Sequence, residues 1–218
     1  MNRISNPQQI DPVMQTSGNR QSFAWLVIGL SAGLTAIPCT FFCDTLIAQS
    51  VAKFQLPGDI NKAVQLAEVF AHGSGVIAIF ATLWWIDRDR RRLIQFAMGM
   101  TLLSSVIANV LKYPFSRYRP NSGTAISGVD SWLAIFDGSF WDSTHRSFPS
   151  GHSATAVALA IGLSIVYPRG KYFFATFALM ACLQRIVSQA HYPSDVLAGA
   201  AIATLCCWIC MRFSKGVR

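Results

Sequence analysis

The stretch LIQFAMGMTLLSSVIANVLK, Leu93 to Lys112, runs without a break into YPFSRYRP, residues 113–120. Residues 93–111 carry no charge, and about twenty such residues cross a bilayer as a helix. The string that follows places Lys112, Arg117 and Arg119 within eight positions. A membrane-length run ending in fixed cations predicts a helical membrane protein with a polar site at one end of its helices. The pattern then recurs. PSGH at 149–152 opens a second run, and QRIVSQAHYPSD at 184–195 closes a third and opens a fourth.

Composition agrees. Hydrophobic residues make up 52% of the 218-residue chain and charged residues 13%, about half the share of a soluble domain. The net charge of +8 comes from basic residues at the ends of apolar segments. No basic helix face or aromatic-interleaved stripe accompanies them, so a nucleic-acid partner is excluded. Cys39, Cys43, Cys182, Cys206, Cys207 and Cys210 all fall inside apolar runs. The CCxxC cluster lacks a second ligand pair and reads as helix packing, not as a metal site.

Six transmembrane helices in one all-α bundle are expected, at about 23–43, 64–86, 93–112, 150–167, 171–188 and 194–212. Residues 1–22 read as a flexible polar leader and 23–218 as one membrane domain. The run at 23–43 exceeds a signal-peptide core and lacks a following cleavage site, so it is expected to stay as the first span. Between the first two spans, 44–63 reads as a short interfacial helix and a Pro57-Gly58 turn. The 113–148 loop carries Trp132, Phe136, Phe140 and Trp141, an aromatic set suited to the headgroup zone.

Arg88, Arg90, Arg91 and Arg92, then Arg169 and Lys171, then Arg212, Lys215 and Arg218 mark one side as cytoplasmic, together with both termini. The three polar strings all land on the opposite side. Small size and compact loops suggest a bacterial inner membrane, with the site on its periplasmic face.

The strings supply three cations (Lys112, Arg119, Arg185), two histidines (His152, His191) and a carboxylate one helical turn from the second histidine (Asp195). That inventory suits phosphoryl transfer, where charge spread over the phosphoryl oxygens must be held and neutralised. The forked guanidinium of arginine matches phosphate, and lysine adds a point charge. With three protein cations, no metal and no cofactor is required. His191 is the expected nucleophile, with Asp195 fixing its tautomer, and His152 the acid and then the base. Ser150 and Gly151 open a helix whose backbone N–H groups would face the anion. Each residue has a plainer reading alone: Asp195 as a helix-start acid, Lys112 and Arg119 as snorkelling residues, the histidines as interfacial side chains. Their joint occurrence in one order favours chemistry.

K-x6-R-P, PSGH and R-x5-H-x3-D in this order resemble the signature motifs of the type-2 phosphatidic acid phosphatase superfamily. The resemblance implies a metal-independent lipid phosphatase, working through a phosphohistidine on a lipid phosphomonoester or pyrophosphate. One departure stands out: Gln184 precedes Arg185 where the family usually has serine.

Glu68 and His72, spaced i, i+4 beside Gly73-Ser74-Gly75, are candidates for headgroup contact, with helix packing the preferred reading. Asn109, a turn before Lys112, is a candidate to orient it. Arg117, His145 and Arg146 read as plain interfacial charge. The alternatives are a lipid phosphotransferase using the same histidine, and an anion transporter without chemistry. The motifs report the phosphate and leave the rest of the lipid, and the oligomeric state, open.

Overall fold

A computed structural model describes residues 12–54, 56–122, 128–138 and 142–214. Among the described residues eight α-helices follow one another: α1 (Pro12–Phe42), α2 (Asp44–Lys53), α3 (Gly58–Leu66), α4 (Gly73–Ile86), α5 (Arg91–Val110), α6 (Gly151–Val166), α7 (Lys171–Val187) and α8 (Pro193–Phe213). Pairing outside helices, among the described residues, is limited to isolated bridges. Residues 1–11 of the expected leader and the aromatics Phe140 and Trp141 lie outside the described residues.

α6 is the centre, packed on α5, α7 and α8, while α1 lies along α8. Its buried positions include Ala154, Ala156, Ala158, Ala160 and Gly162. Small residues let helix backbones approach closely where lipid offers no hydrophobic drive between helices. At Gly162 a Cβ would lie 2.9 Å from that of Ala97 on α5. The outward surface is the reverse of a soluble protein's: Phe23, Leu30, Leu34, Ile37 and Phe41 of α1 and Ile77, Trp85 and Leu102 of α4 and α5 are exposed. Apolar surface this extensive is at home in lipid. The chain is an integral membrane protein.

Among the described residues, three helical segments are long and apolar enough to cross a membrane: Phe23–Phe42, Arg91–Val110 and Pro193–Phe213. The expected second span, 64–86, is corrected. It is a broken element in which Gly58–Phe70 and Gly73–Ile86 meet at a 67° bend, and together they make a fourth candidate. The break falls at Ala71-His72, where His72 is extended and its ring Nδ1 accepts the Ser74 N–H at 3.4 Å. Gly75 is required there, because a Cβ would meet the Val69 carbonyl oxygen at 1.9 Å. α6 and α7, at 16 and 17 residues, rise only about 24–26 Å, which is why the six expected runs do not give six helices of full membrane length.

The loop after α5 folds back over the helix ends as extended chain. Arg117 N–H donates to His145 O at 2.8 Å, Tyr118 N–H to Ser131 O at 2.9 Å and Arg119 N–H to Thr144 O at 2.9 Å. Side chains two apart in extended chain share a side. Arg117 and Arg119 therefore both point at the helix ends, while the Tyr118 ring stacks edge-on with His145.

Candidate active site

The segment that positions each polar string ends at one cavity of about 1000 Å³. Lys112, Arg119, Arg185, His152, His191 and Gly151 line its polar end. Val76, Ile77, Phe80, Trp84, Met98 and Leu102 of α4 and α5 line an apolar wall.

Lys112 follows the end of α5, and its Nζ donates to the Arg146 carbonyl at 3.0 Å. Burial, and then neighbouring Arg119, push the ammonium down to about 8. Asn109 does not orient it through its amide, which donates to Ser105 O at 2.9 Å and lies against Gly151. Arg119 Nε is buried without a hydrogen-bond partner. An unmet guanidinium donor in such a site is costly unless an anion takes it.

Arg185 sits in the last turn of α7, where its guanidinium donates to Gln184 Oε1 and, at 2.7 Å, to Glu68 Oε1. Gln184 Nε2 donates to Gln65 Oε1 at 2.9 Å. The unusual Gln184 thus ties α7 to α3, the first arm of the broken element. Glu68 is a site carboxylate, joined to Arg185 and 4.0 Å from His152 Nε2, and helix packing alone does not describe it. His72 Nδ1 lies 2.9 Å from Ser74 Oγ, and its ring centroid is 6.1 Å from that of His152.

Ser150 caps α6, its Oγ accepting from Ser153 N–H at 3.3 Å. Its own N–H donates to the Asp195 carbonyl at 3.0 Å, which spends one of the two backbone donors expected for the anion. Gly151, at the positive end of α6, remains on the cavity wall. Close approach of α8 makes the link possible, since a Cβ at Gly199 would lie 2.3 Å from Ser150 O.

His191 is buried in the turn between α7 and α8, with Nδ1 3.8 Å from Asp195 Oδ2. Burial holds its imidazole down at about 4, against the pull of Asp195, so the ring is neutral near pH 7 and has a lone pair to offer. Asp195 Oδ2 accepts from Ser147 Oγ at 2.6 Å and Tyr192 N–H at 2.8 Å.

Asp195 Oδ1 accepts from Arg117. This corrects the interfacial reading of Arg117. Its guanidinium is fully buried, bonded also to Asp44 Oδ2 at 2.7 Å, Ser194 Oγ at 2.8 Å and Ser131 Oγ at 2.9 Å. Asp195 below and Asp44 beside it hold its pKa above the ordinary value despite burial. Arg146, half-buried, also lines the cavity. The sequence did carry a signal for the pair: Asp44 is the one carboxylate between Asp11 and Asp59, at the end of an apolar run.

The arrangement can hold a tetrahedral anion between three cations and a helix start, with one imidazole backed by a carboxylate and another facing it. The profile of the PAP2 superfamily matches residues 92–218. The chain is 34% identical to lipid A 1-phosphatase of Rhizobium etli over 186 residues, covering 75% of this chain and 78% of that protein. Its fold is similar to the crystal structure of Aquifex aeolicus LpxE (TM-score 0.56, 18% identity, 79% of this chain and 97% of that one). It is similar also to the PAP2 type phosphatidylglycerolphosphate phosphatase from Bacillus subtilis (TM-score 0.55, 16% identity, 90% of this chain and 97% of that one). At these identities the two structures speak for the fold alone.

Proposed function

The chain belongs to the PAP2 superfamily, and on that premise we propose that it is a lipid phosphate phosphatase that works through a phosphohistidine on His191. The observation that carries this is the shared cavity: three cations and two histidines at one end, an apolar wall between α4 and α5 along the rest. A phosphate would sit among Lys112, Arg119 and Arg185 while its lipid lies along Phe80, Trp84 and Met98. A lipid phosphomonoester or pyrophosphate is the substrate class. Lipid A 1-phosphate is the first candidate, from the named activity of the Rhizobium relative.

In the reaction, the His191 ring nitrogen away from Asp195 attacks phosphorus, and the bond to the lipid oxygen breaks. His152, whose Nε2 lies 4.0 Å from the Glu68 carboxylate, gives the departing oxygen its proton. Water then attacks the phosphohistidine, passing a proton to His152 and releasing inorganic phosphate. Asp195 steadies the positive charge on the His191 ring. The three cations neutralise the transferring group throughout.

On the same proposal the chain crosses six times with both termini cytoplasmic, which would put this site at the outer face of a bacterial inner membrane. The basic residues at 88–92, 169–171 and 212 support that orientation, and α6 and α7, short for spans, would cross within the cover of their neighbours.

The test is phosphate release by detergent-solubilised protein from lipid A 1-phosphate, phosphatidic acid, phosphatidylglycerol phosphate and undecaprenyl pyrophosphate, in excess chelator. Release from at least one lipid is expected. A phosphorylated acceptor lipid formed without free phosphate would make the protein a phosphotransferase, and binding with no turnover of any lipid would contradict the enzyme reading.

A further inference from the structure

We propose that Asp44, at the junction of α1 and α2, is a positioning residue that sets the field Asp195 exerts on His191 by sharing the charge of Arg117. It lies outside all three motif strings. The inference rests on His191 being the nucleophile.

The Arg117 guanidinium is enclosed on every side. It sits over the Tyr192 ring at 4.1 Å and the Trp132 ring at 4.8 Å, with one terminal nitrogen on Asp195 and the other on Asp44. All three side chains are 0% exposed. Asp44 is held in turn by the Ser194 N–H at 3.0 Å and by the Ser194 hydroxyl. It therefore grips the first turn of α8 beside Asp195 as well as Arg117.

Count the charges. Arg117 with Asp195 alone would be a neutral pair, its positive end cancelling most of the carboxylate's effect at His191. Asp44 makes the group a net anion. In a buried site of low dielectric this difference is felt strongly. A developing imidazolium-like charge on His191, which also faces Lys112 and Arg119, then meets an anion instead of a dipole. A second buried carboxylate costs desolvation that one Arg–Asp pair would avoid. Holding the loop does not require it; stabilising charge on His191 does.

The test measures kcat and KM for phosphate release by full-length, solubilised D44N, R117Q and the double variant. D44N keeps Arg117 paired with Asp195 yet neutralises the group, so kcat is expected to fall about tenfold or more with KM within about threefold. The double variant leaves Asp195 an uncompensated anion again and is expected to recover part of that kcat. A purely structural role predicts the double to be at least as impaired as D44N. D44N within about twofold of the wild-type kcat, or a double variant no better than D44N, would overturn the inference. If D44N does not fold, the double variant decides alone, because it removes both charges together. Above about a tenth of wild-type kcat supports the proposal, and less overturns it. The H191A control separates the two ideas: turnover by H191A defeats the nucleophile itself, whereas inactive H191A beside normal D44N defeats only the role of Asp44.

Discussion

Asp195 and Arg117 meet through Oδ1 and a guanidinium nitrogen at 2.5 Å, with neither side chain exposed. The carboxylate that faces His191 is therefore anchored from behind by a cation in the loop after α5. Its Oδ2 is steadied by Ser147 and Tyr192. What remains for His191 is a contact of 3.8 Å, with Nδ1 lacking a hydrogen bond. Such contacts are often long before substrate binds and shorten in the reacting complex.

Asp195→Asn is expected to lower kcat by about 10²–10⁴-fold while the protein still folds. Asp44 continues to pair Arg117, so no buried cation is left alone. The size-exclusion profile should match wild type, while the melting temperature falls, because the amide NH2 must face a donor on one side or the other. A variant that turns over within about threefold of wild type would remove Asp195 from the chemistry.

Beside the proton that His152 must carry, activity should depend on pH through His191 and Lys112 in opposite senses. His191 attacks only when neutral, and its imidazole is held at about 4, so kcat/KM rises as pH climbs through that region. Lys112 binds phosphate only when charged, and its ammonium is pushed down to about 8, so kcat/KM falls as pH rises past that point. Lys112→Arg should push the alkaline limb upward, because arginine stays charged. A limb unmoved in that variant would assign it to another group.

Glu68 shares Arg185 with any incoming phosphate. Glu68→Gln removes the competing charge, and orthophosphate or vanadate should then inhibit at about tenfold lower concentration, the equivalent of about 1.4 kcal/mol. Unchanged inhibition would show that Glu68 leaves the guanidinium without cost when an anion arrives.

Gly199→Ala tests the joint between the second and third strings. The added methyl would press on the Ser150 carbonyl, 2.3 Å away, and on Ser153 Cβ at 3.2 Å. Overpacking of this kind costs about 1–3 kcal/mol. Because Ser150 and Asp195 are linked across this contact, a fall in kcat should accompany the lower melting temperature. Loss of stability with full kcat would uncouple the joint from the site.

The sequence makes the cavity's polar end legible because each string carries its chemistry in a few consecutive residues at the end of an apolar run. Lys112, Arg119, His152, Arg185 and His191 converge as that pattern implies. Arg117 escapes notice because its partners are remote: Asp44 is 73 positions away and Asp195 78. A cation near a membrane surface looks alike whether solvated or buried. The break at Ala71-His72 is hidden for a different reason. Apolar residues continue on both sides of it, and hydropathy averaged along the chain cannot register one extended residue. Gln184 shows the limit of motif reading: its link to Gln65 and Glu68 depends on a neighbour from another segment.

The central claim, covalent catalysis by His191, is tested most directly by trapping. Wild type, H152A and H191A are mixed with lipid phosphate carrying ³²P and quenched in alkali, where phosphohistidine survives. Label is expected on wild type and not on H191A, which should also release no phosphate; H152A, which loses the acid of the first step and the base of the second, should turn over slowly. Phosphate release by H191A at a rate near wild type, or turnover by wild type with no trapped label on it, would contradict the account.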